Sequence, residues 1–270
     1  MLIFEPLAGL CNRMRSLDSA MALADATGHE LHVIWDLNRE LNCRLEDLFE
    51  LPAAIKSLRQ PRSGRFGRRC RWLYYTATCQ IHLGQKRIVR WVQEGRDFRS
   101  LRDYRTVSMA TWEEFFPRAK PFRAFRPIAA LQQTVERYCS EGNVIGVHIR
   151  RTDNRASIDK SPTTCFLELM QREVDADRSV KFFVATDSPE EESRLKQRFG
   201  GRIITHAKAT LDRDDPRGIQ DAVVDLYSLA NCRKLIGSHW SSFTDVAAQI
   251  RGIERLVALA QQPAAAVRAA

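Results

Sequence analysis

Two arginines, a histidine, a threonine and an aspartate stand together at His148-Ile149-Arg150-Arg151-Thr152-Asp153, at the end of the apolar run that begins at Val144. If residues 144–149 form a buried strand, side chains alternate across it, so His148 and Arg150 leave on one side and Ile149 on the other. Two cations at a strand end need anions. The guanidinium fork of Arg150 suits a bidentate grip on a diphosphate, and the alternative is a structural ion-pair cluster in which Arg151 or Asp153 orients the loop. A second strand end carries Ala185-Thr186-Asp187-Ser188. A third segment, Gly237-Ser238-His239-Trp240-Ser241-Ser242-Phe243, leads into a helix whose free N–H groups and positive dipole end suit a phosphate. Ser242 serves equally well as an ordinary helix N-cap.

These segments meet only if the strands that carry them are parallel neighbours. The spacing predicts strands at residues 180–185, 202–205 and 235–237 beside 144–149, with helices between them. Ser188 reads as an N-cap with Pro189 at the first helical position and Glu191 completing a capping box, and Gly200 and Gly201 close that helix. A helix over residues 218–230 and another capped by Ser242 with Asp245 follow. The chain opens in the same way: a strand at residues 2–4, a turn through Pro6 and Gly9, a helix marked by Met14, Leu17, Met21 and Ala24 and ended by Gly28, then a strand at residues 31–35. Strands alternating with helices predict an α/β fold with doubly wound parallel sheets, whose ligands sit beyond the carboxyl ends of the strands. Residues 43–130 lack clear periodicity and read mostly as helices and loops. Residues 117–127, with three prolines, read as the crossing between an N-terminal half, 1–130, and a C-terminal half, 131–270.

Composition narrows the chemistry. With 44% hydrophobic residues the chain buries a substantial core, and its net charge of +9 favours a phosphorylated ligand, a nucleic acid or an anionic surface. The basic residues are densest at 59–71 and 86–105, interleaved with Phe66, Trp72, Tyr74, Tyr75 and Trp91, and we read them as a solvated helical face around aromatic core residues in preference to a nucleic-acid surface. Seven cysteines with no Cys-x-x-Cys pair suggest reduced thiols. His29, His32, His82, His148, His206 and His239 show no ligand spacing, and Asp212-Arg213-Asp214-Asp215, followed by Pro216, reads as a solvated turn, so no metal is expected. No apolar run reaches the roughly 18 residues of a membrane span. With no targeting signal visible, the expected location is the cytoplasm, with a peripheral contact to the inner face of the membrane as a further partner.

Four motifs together resemble the fucosyltransferase superfamily of rhizobial nodulation enzymes, animal α1,6-fucosyltransferases and protein O-fucosyltransferases: Gly9-Leu10-Cys11-Asn12-Arg13, His148 to Asp153, Phe183-Val184-Ala185-Thr186-Asp187, and Asp225-Leu226-Tyr227 leading to Ser241-Ser242-Phe243. Threonine at 152, where the α1,2 branch usually has glycine, is similar to the α1,6 and nodulation branch. The resemblance implies a GT-B architecture, two Rossmann-like domains facing a cleft, with the acceptor on the first. It implies an inverting, metal-independent transfer of fucose or a related sugar from a GDP-sugar to a glycan or lipid-linked acceptor, without a further cofactor. By the same resemblance Arg150 grips the diphosphate, His148 and Asp225 contact guanine, Ser242 and Phe243 cap the β-phosphate, Asp187 joins the donor side, and Gly9 and Asn12 border it from the first domain. The family has glycine at the position of Cys11, and its proposed base has no glutamate counterpart here; Asp159 is the nearest carboxylate.

Overall fold

The computed structural model describes residues 1–138, 142–152 and 155–260; Asp153 and Cys139 lie outside the described residues. The chain forms two compact units, Met1–Thr134 with Lys208–Val224, and Val135–Ala207 with Asp225–Ala270. Lys208–Val224 thus groups with the N-terminal residues.

The first unit contains β1 (Leu2–Pro6), α1 (Leu10–Thr27), β2 (Leu31–Ile34), β3 (Ile55–Arg59), α2 (Arg65–Thr78), β4 (Ile81–Leu83), α3 (Gln85–Gln93) and β5 (Val107–Thr111). Its five strands pair in parallel in the order β3-β2-β1-β5-β4. Three of them, β3, β4 and β5, lie within residues 43–130, which are otherwise helix and loop as expected. β4 has three residues and β3 is mixed in polarity, so both depend on pairing with distant partners more than on any local pattern. Residues 117–127 are irregular as expected, but they are not the crossing. Phe122 and Phe125 are buried in this unit, and Phe125 packs edge-on against Phe49 at 5.4 Å. The chain passes to the second unit later, within α4 (Ala129–Tyr138), between Thr134 and Val135.

α1 is buried on every side from Ser16 to Ala24, and Gly28 ends it in the left-handed conformation, φ 73°, that glycine adopts without steric cost. Arg13 of the same helix is fully buried. Its Nε donates to the Ala8 carbonyl at 2.7 Å and its NH1 to the Asp36 carbonyl at 2.8 Å, with the guanidinium over the Trp35 ring. Burial lowers its pKa to about 10, which leaves it charged at neutral pH. The same arginine pins the β1–α1 turn, where Ala8 takes a positive φ of 66°.

The second unit contains β6 (Val144–Ile149), α5 (Arg155–Lys160), α6 (Thr163–Ala176), β7 (Lys181–Thr186), α7 (Pro189–Phe199), β8 (Ile203–Thr205), then the end of α8 (Pro216–Ala230), β9 (Lys234–Gly237), α9 (Ser242–Arg251) and β10 (Glu254–Val257). Its parallel sheet runs β10-β9-β6-β7-β8, with β6 buried along its whole length at the centre. Ile145, Val147 and Ile149 point to Phe166 and Met170 of α6 and Leu195 and Phe199 of α7, each worth roughly 1.5–3 kcal/mol when fully buried. The opposite face is spaced by glycine. A Cβ at Gly146 would collide with Leu235 and come within 3.0 Å of Leu229 Cδ2, so its absence lets α8 close on the sheet.

α8 begins in the first unit. The Asp212–Asp215 turn before it is held there by Asn42, whose amide donates to the Arg213 carbonyl at 3.1 Å and whose side chain donates to the Asp214 carbonyl at 2.7 Å. Among the described residues, no group of three or more His, Cys, Asp or Glu is placed to hold a metal ion, and no helix is long and apolar enough to cross a membrane.

Asp18, on α1, offers a test of the packing. Burial raises its pKa, although the Phe122 amide, donating to Oδ2 at 3.3 Å, and the charge of Arg118 act in the opposite direction. A carboxylate whose folded pKa is raised costs stability as pH climbs from the ordinary carboxylate range through the raised value. Asp18→Asn should therefore raise the melting temperature at pH 7, with the gain shrinking as pH falls through the raised value and gone once it reaches the ordinary carboxylate range. Thermal melts of both proteins across pH 3–8 check this; an equal difference at all pH values would contradict it.

Candidate functional site

The carboxyl ends of β6, β7 and β9 run out side by side, with Ile149 opposite Thr186 and His148 opposite both Ala185 and Gly237. From β6 the chain moves to β7 on one side of the sheet, whereas from β9 it moves to β10 on the other. The crevice between the ends of β6 and β9 is therefore a topological switch point, the place where open α/β sheets bind ligands.

Where the strands end, loop amides lose their sheet partners, and side-chain oxygens take them over. Ser238 Oγ accepts the Arg150 amide at 3.0 Å. Asp187 accepts the Arg151 amide at 2.7 Å, the Thr152 amide at 3.3 Å and the Thr152 hydroxyl at 2.7 Å. Ser161 Oγ accepts the His239 amide at 2.9 Å, and Thr186 Oγ1 the Ser188 amide at 3.2 Å. The loop after β6 is thus tied to both neighbouring strand ends.

His148 lies on the crevice side of β6, buried, with Nδ1 2.8 Å from Thr244 Oγ1 and 3.4 Å from Ser241 Oγ and its ring stacked on Phe243 at 4.8 Å. Arg150, next on the same side, is half-buried. Arg151 turns the other way: its Nε is 3.4 Å from Glu191, its NH2 donates to Thr163 at 3.2 Å, and its guanidinium lies over Phe166. Arg151 thus forms the structural ion pair that was one of the alternatives its sequence left open.

The helix cap falls one residue earlier than expected. Ser241, with extended φ and ψ of −111° and 106°, is the N-cap of α9, and its side chain accepts from the Thr244 amide, while the Asp245 amide donates to the Ser241 carbonyl at 3.0 Å. Ser242 is instead the first helical residue. The cap leaves the amides of Ser242 and Phe243, first-turn donors that have no intrahelical acceptor, at the positive end of the helix dipole.

No family model matches the chain, and no curated protein matches it. Solved structures do. The α-1,6-fucosyltransferase NodZ soaked with GDP-fucose superposes with a TM-score of 0.62 over 92% of this chain and 92% of that one, at 18% identity. FUT1 of Arabidopsis thaliana, a mutant in complex with GDP, gives 0.62 over 95% of this chain and 70% of that one, at 17% identity, and POFUT1 in complex with GDP gives 0.56 over 95% and 97%, at 12%. The fold is that of the GT-B fucosyltransferases.

His148, Arg150, Ser242 and Phe243 gather at the β6–β9 crevice. Asp187 stands at the same edge, where its oxygens brace the β6 loop. Asp225 is buried on α8, at the residue where the chain returns to the second unit. Asp159 is exposed on α5, 3.9 Å from Arg155. Gly9 and Asn12 belong to the first unit: Gly9 is the N-cap of α1 at the end of β1, and Asn12 accepts from Arg15 at 2.6 Å. Cys11 is an ordinary helical residue buried in the core.

Sequence reasoning missed Thr163, Ser161 and Thr244, hydroxyls with no signal beyond their types, and placed Ser238 in the candidate loop without its partner. It found Glu191 for another purpose. The Glu191 amide does donate to Ser188 at 3.3 Å, as in a capping box, but the carboxylate turns inward to Thr163 and Arg151.

Thr244 reaches His148 because β9 ends in glycine. A Cβ on Gly237 would overlap Thr244 Cγ2 and lie 2.7 Å from its hydroxyl. Gly237→Ala should cost roughly 1–3 kcal/mol of stability. Adding Thr244→Ser, which removes the clashing methyl and keeps the hydroxyl, should restore part of the loss. Denaturant melts of the single and double variants decide the matter, and a double variant no more stable than Gly237→Ala alone would refute the contact.

Proposed function

We propose that the chain is an inverting glycosyltransferase that moves fucose, or a related sugar, from a GDP-sugar to a glycan or lipid-linked acceptor, with the α1,6/nodulation type of linkage. The observation that carries this reading is the convergence of His148, Arg150 and the first-turn amides of α9 at the switch-point crevice. In support, solved structures of the same fold include complexes with GDP and with GDP-fucose.

The phosphates would lie across the N-terminus of α9, taking the Ser242 and Phe243 amides, with Arg150 clamping the β-phosphate from the end of β6. The base would be read by His148 and by Asp225, since a carboxylate accepts together from N1–H and the exocyclic amine of guanine, a pair that adenine and uracil do not present. As the anomeric bond breaks, negative charge grows on the departing diphosphate, where Arg150 and the helix dipole stabilise it. Ser238 and Asp187, by fixing the backbone on either side of Arg150, hold that guanidinium in place before the reaction. Asp159, exposed on the first helix after the loop, is the carboxylate proposed to take the proton of the acceptor hydroxyl.

Two experiments test the assignment. GDP and GDP-sugars should raise the melting temperature of the protein, because a ligand bound only by the native state stabilises it, whereas ADP and UDP should leave it near the apo value. Asp225→Asn should blunt that preference, and equal shifts for all three diphosphates in the unmodified protein would end the guanine assignment.

The second concerns the leaving group. Arg150→Lys keeps the charge and loses the fork, so it should cost roughly 2–4 kcal/mol of transition-state stabilisation, felt in turnover more than in donor binding. A strong chelator should leave wild-type turnover largely intact. Donor consumption measured with and without chelator on both proteins checks the pair of expectations. Unchanged turnover in Arg150→Lys, or complete loss on chelation, would overturn the mechanism.

A further inference from the structure

Residues 51–93 contain ten lysines and arginines and no aspartate or glutamate. The other 32 basic residues nearly cancel the 33 acidic ones, so the net charge of +9 resides in this one stretch. Its centre is α2. The face of α2 toward the sheet is held by charge: Arg71 pairs with Glu5 of β1 at 2.7 Å and with Asp36 beyond β2 at 3.2 Å. None of the residues of α2 is buried.

The outer face carries Phe66, Cys70, Leu73 and Ala77, spaced by four, three and four residues and therefore forming one stripe along the helix. Phe66 is 81% and Leu73 52% exposed, beside Tyr74 at 61% and Trp72 at 50%. Arg65 and Arg69, both exposed and one turn apart, run along that stripe, and the exposed Lys86, Arg87 and Arg90 of α3 extend the charge. This reverses part of the reading of the aromatic residues as core: Trp91 is buried and Trp72, half-exposed, turns its ring edge-on to His82 of β4, whereas Phe66 and Tyr74 face outward. A globular helix ordinarily turns its apolar stripe to the core and its charges to water. α2 instead turns Arg71 inward to Glu5 and leaves Phe66 and Leu73 in water.

The chemistry of the face selects its occupant. A second copy would bring another acid-free stretch against the first. A nucleic acid would engage the arginines and leave the Leu73–Ala77 end of the stripe unused. A negatively charged bilayer uses both, with arginines among the headgroups and the apolar stripe at the acyl boundary. We infer that α2 docks this protein on an anionic lipid surface, with Phe66 and Leu73 entering the interface.

Co-sedimentation of the full chain with vesicles tests this. The protein should pellet with vesicles of phosphatidylcholine and phosphatidylglycerol in equal parts and remain in the supernatant with phosphatidylcholine alone. Phe66→Ser with Leu73→Ser should weaken binding on the order of tenfold, and Arg65→Gln with Arg69→Gln by roughly fivefold per arginine at low salt. Because these side chains are exposed, both variants should keep the wild-type melting temperature and its response to GDP. Absent binding to the anionic vesicles, equal binding to both kinds, or undiminished binding by the serine variant overturns the inference. A lipid-free dimer that the serine variant dissolves would assign the face to a second copy. Single-stranded RNA bound through the arginines, indifferent to Phe66 and Leu73, would assign it to nucleic acid; either result displaces the lipid surface.

Discussion

Parallel strands that end together expose a row of backbone amides, and each buried one needs an acceptor. In the second unit this requirement is met by Ser238, Asp187, Thr186, Ser161, Ser188 and Ser241, one short polar side chain after another along the carboxyl edge of the sheet. The pattern fixes the loop after β6 and the entry to α9 without any long side chain being spent on the task. Arg150 and the leading amides of α9 are left at the crevice as a consequence. The same economy explains the glycine at 237: with Thr244 packed directly on the strand end, the imidazole of His148 is held from behind by a hydroxyl and from the side by Phe243.

The first unit meets the equivalent problem with charge. Its β1–α1 turn is pinned by a fully buried guanidinium, and beside it Glu5 of β1 and Asp36, just beyond β2, are bridged by Arg71. A buried arginine is destabilising by desolvation unless its hydrogen bonds are well made, so its value here lies in holding one geometry of the turn.

How much of this was legible in the sequence follows from the range of the forces involved. Long apolar runs and local caps announce themselves: β6, β7 and β9, Pro189 at the start of α7 and Gly28 at the end of α1 all fall where pattern places them. β3 and β4 do not, because an edge strand of three residues, or one of mixed polarity, is made by its neighbour. The crevice was legible as a convergence of strand ends, since the parallel order follows from alternation. Its fine structure was not. Ser241 and Ser242 are equivalent caps until tertiary contact with His148 and Thr244 distinguishes them, and Glu191 satisfies a local motif with its amide while its carboxylate answers to Arg151, forty residues away. Arg13 sits at a position that helical periodicity marks as apolar, between Leu10 and Leu17, and a charge on that side of a helix is itself a signal of a buried anchor.

The grouping of Lys208–Val224 with the N-terminal residues bears on how the chain is made. Asn42 and Asp47 receive their partners from Arg213, Asp214 and Gln220, residues that leave the ribosome after the whole of 135–207. The first unit therefore waits, incomplete, while most of the second emerges, and the second in turn lacks β9 and α9 until the first has been closed. Vectorial synthesis usually lets an N-terminal domain finish before the next begins. Here the two bodies must mature in alternation, so a ribosome pausing near residue 205 would hold both of them unfinished at once.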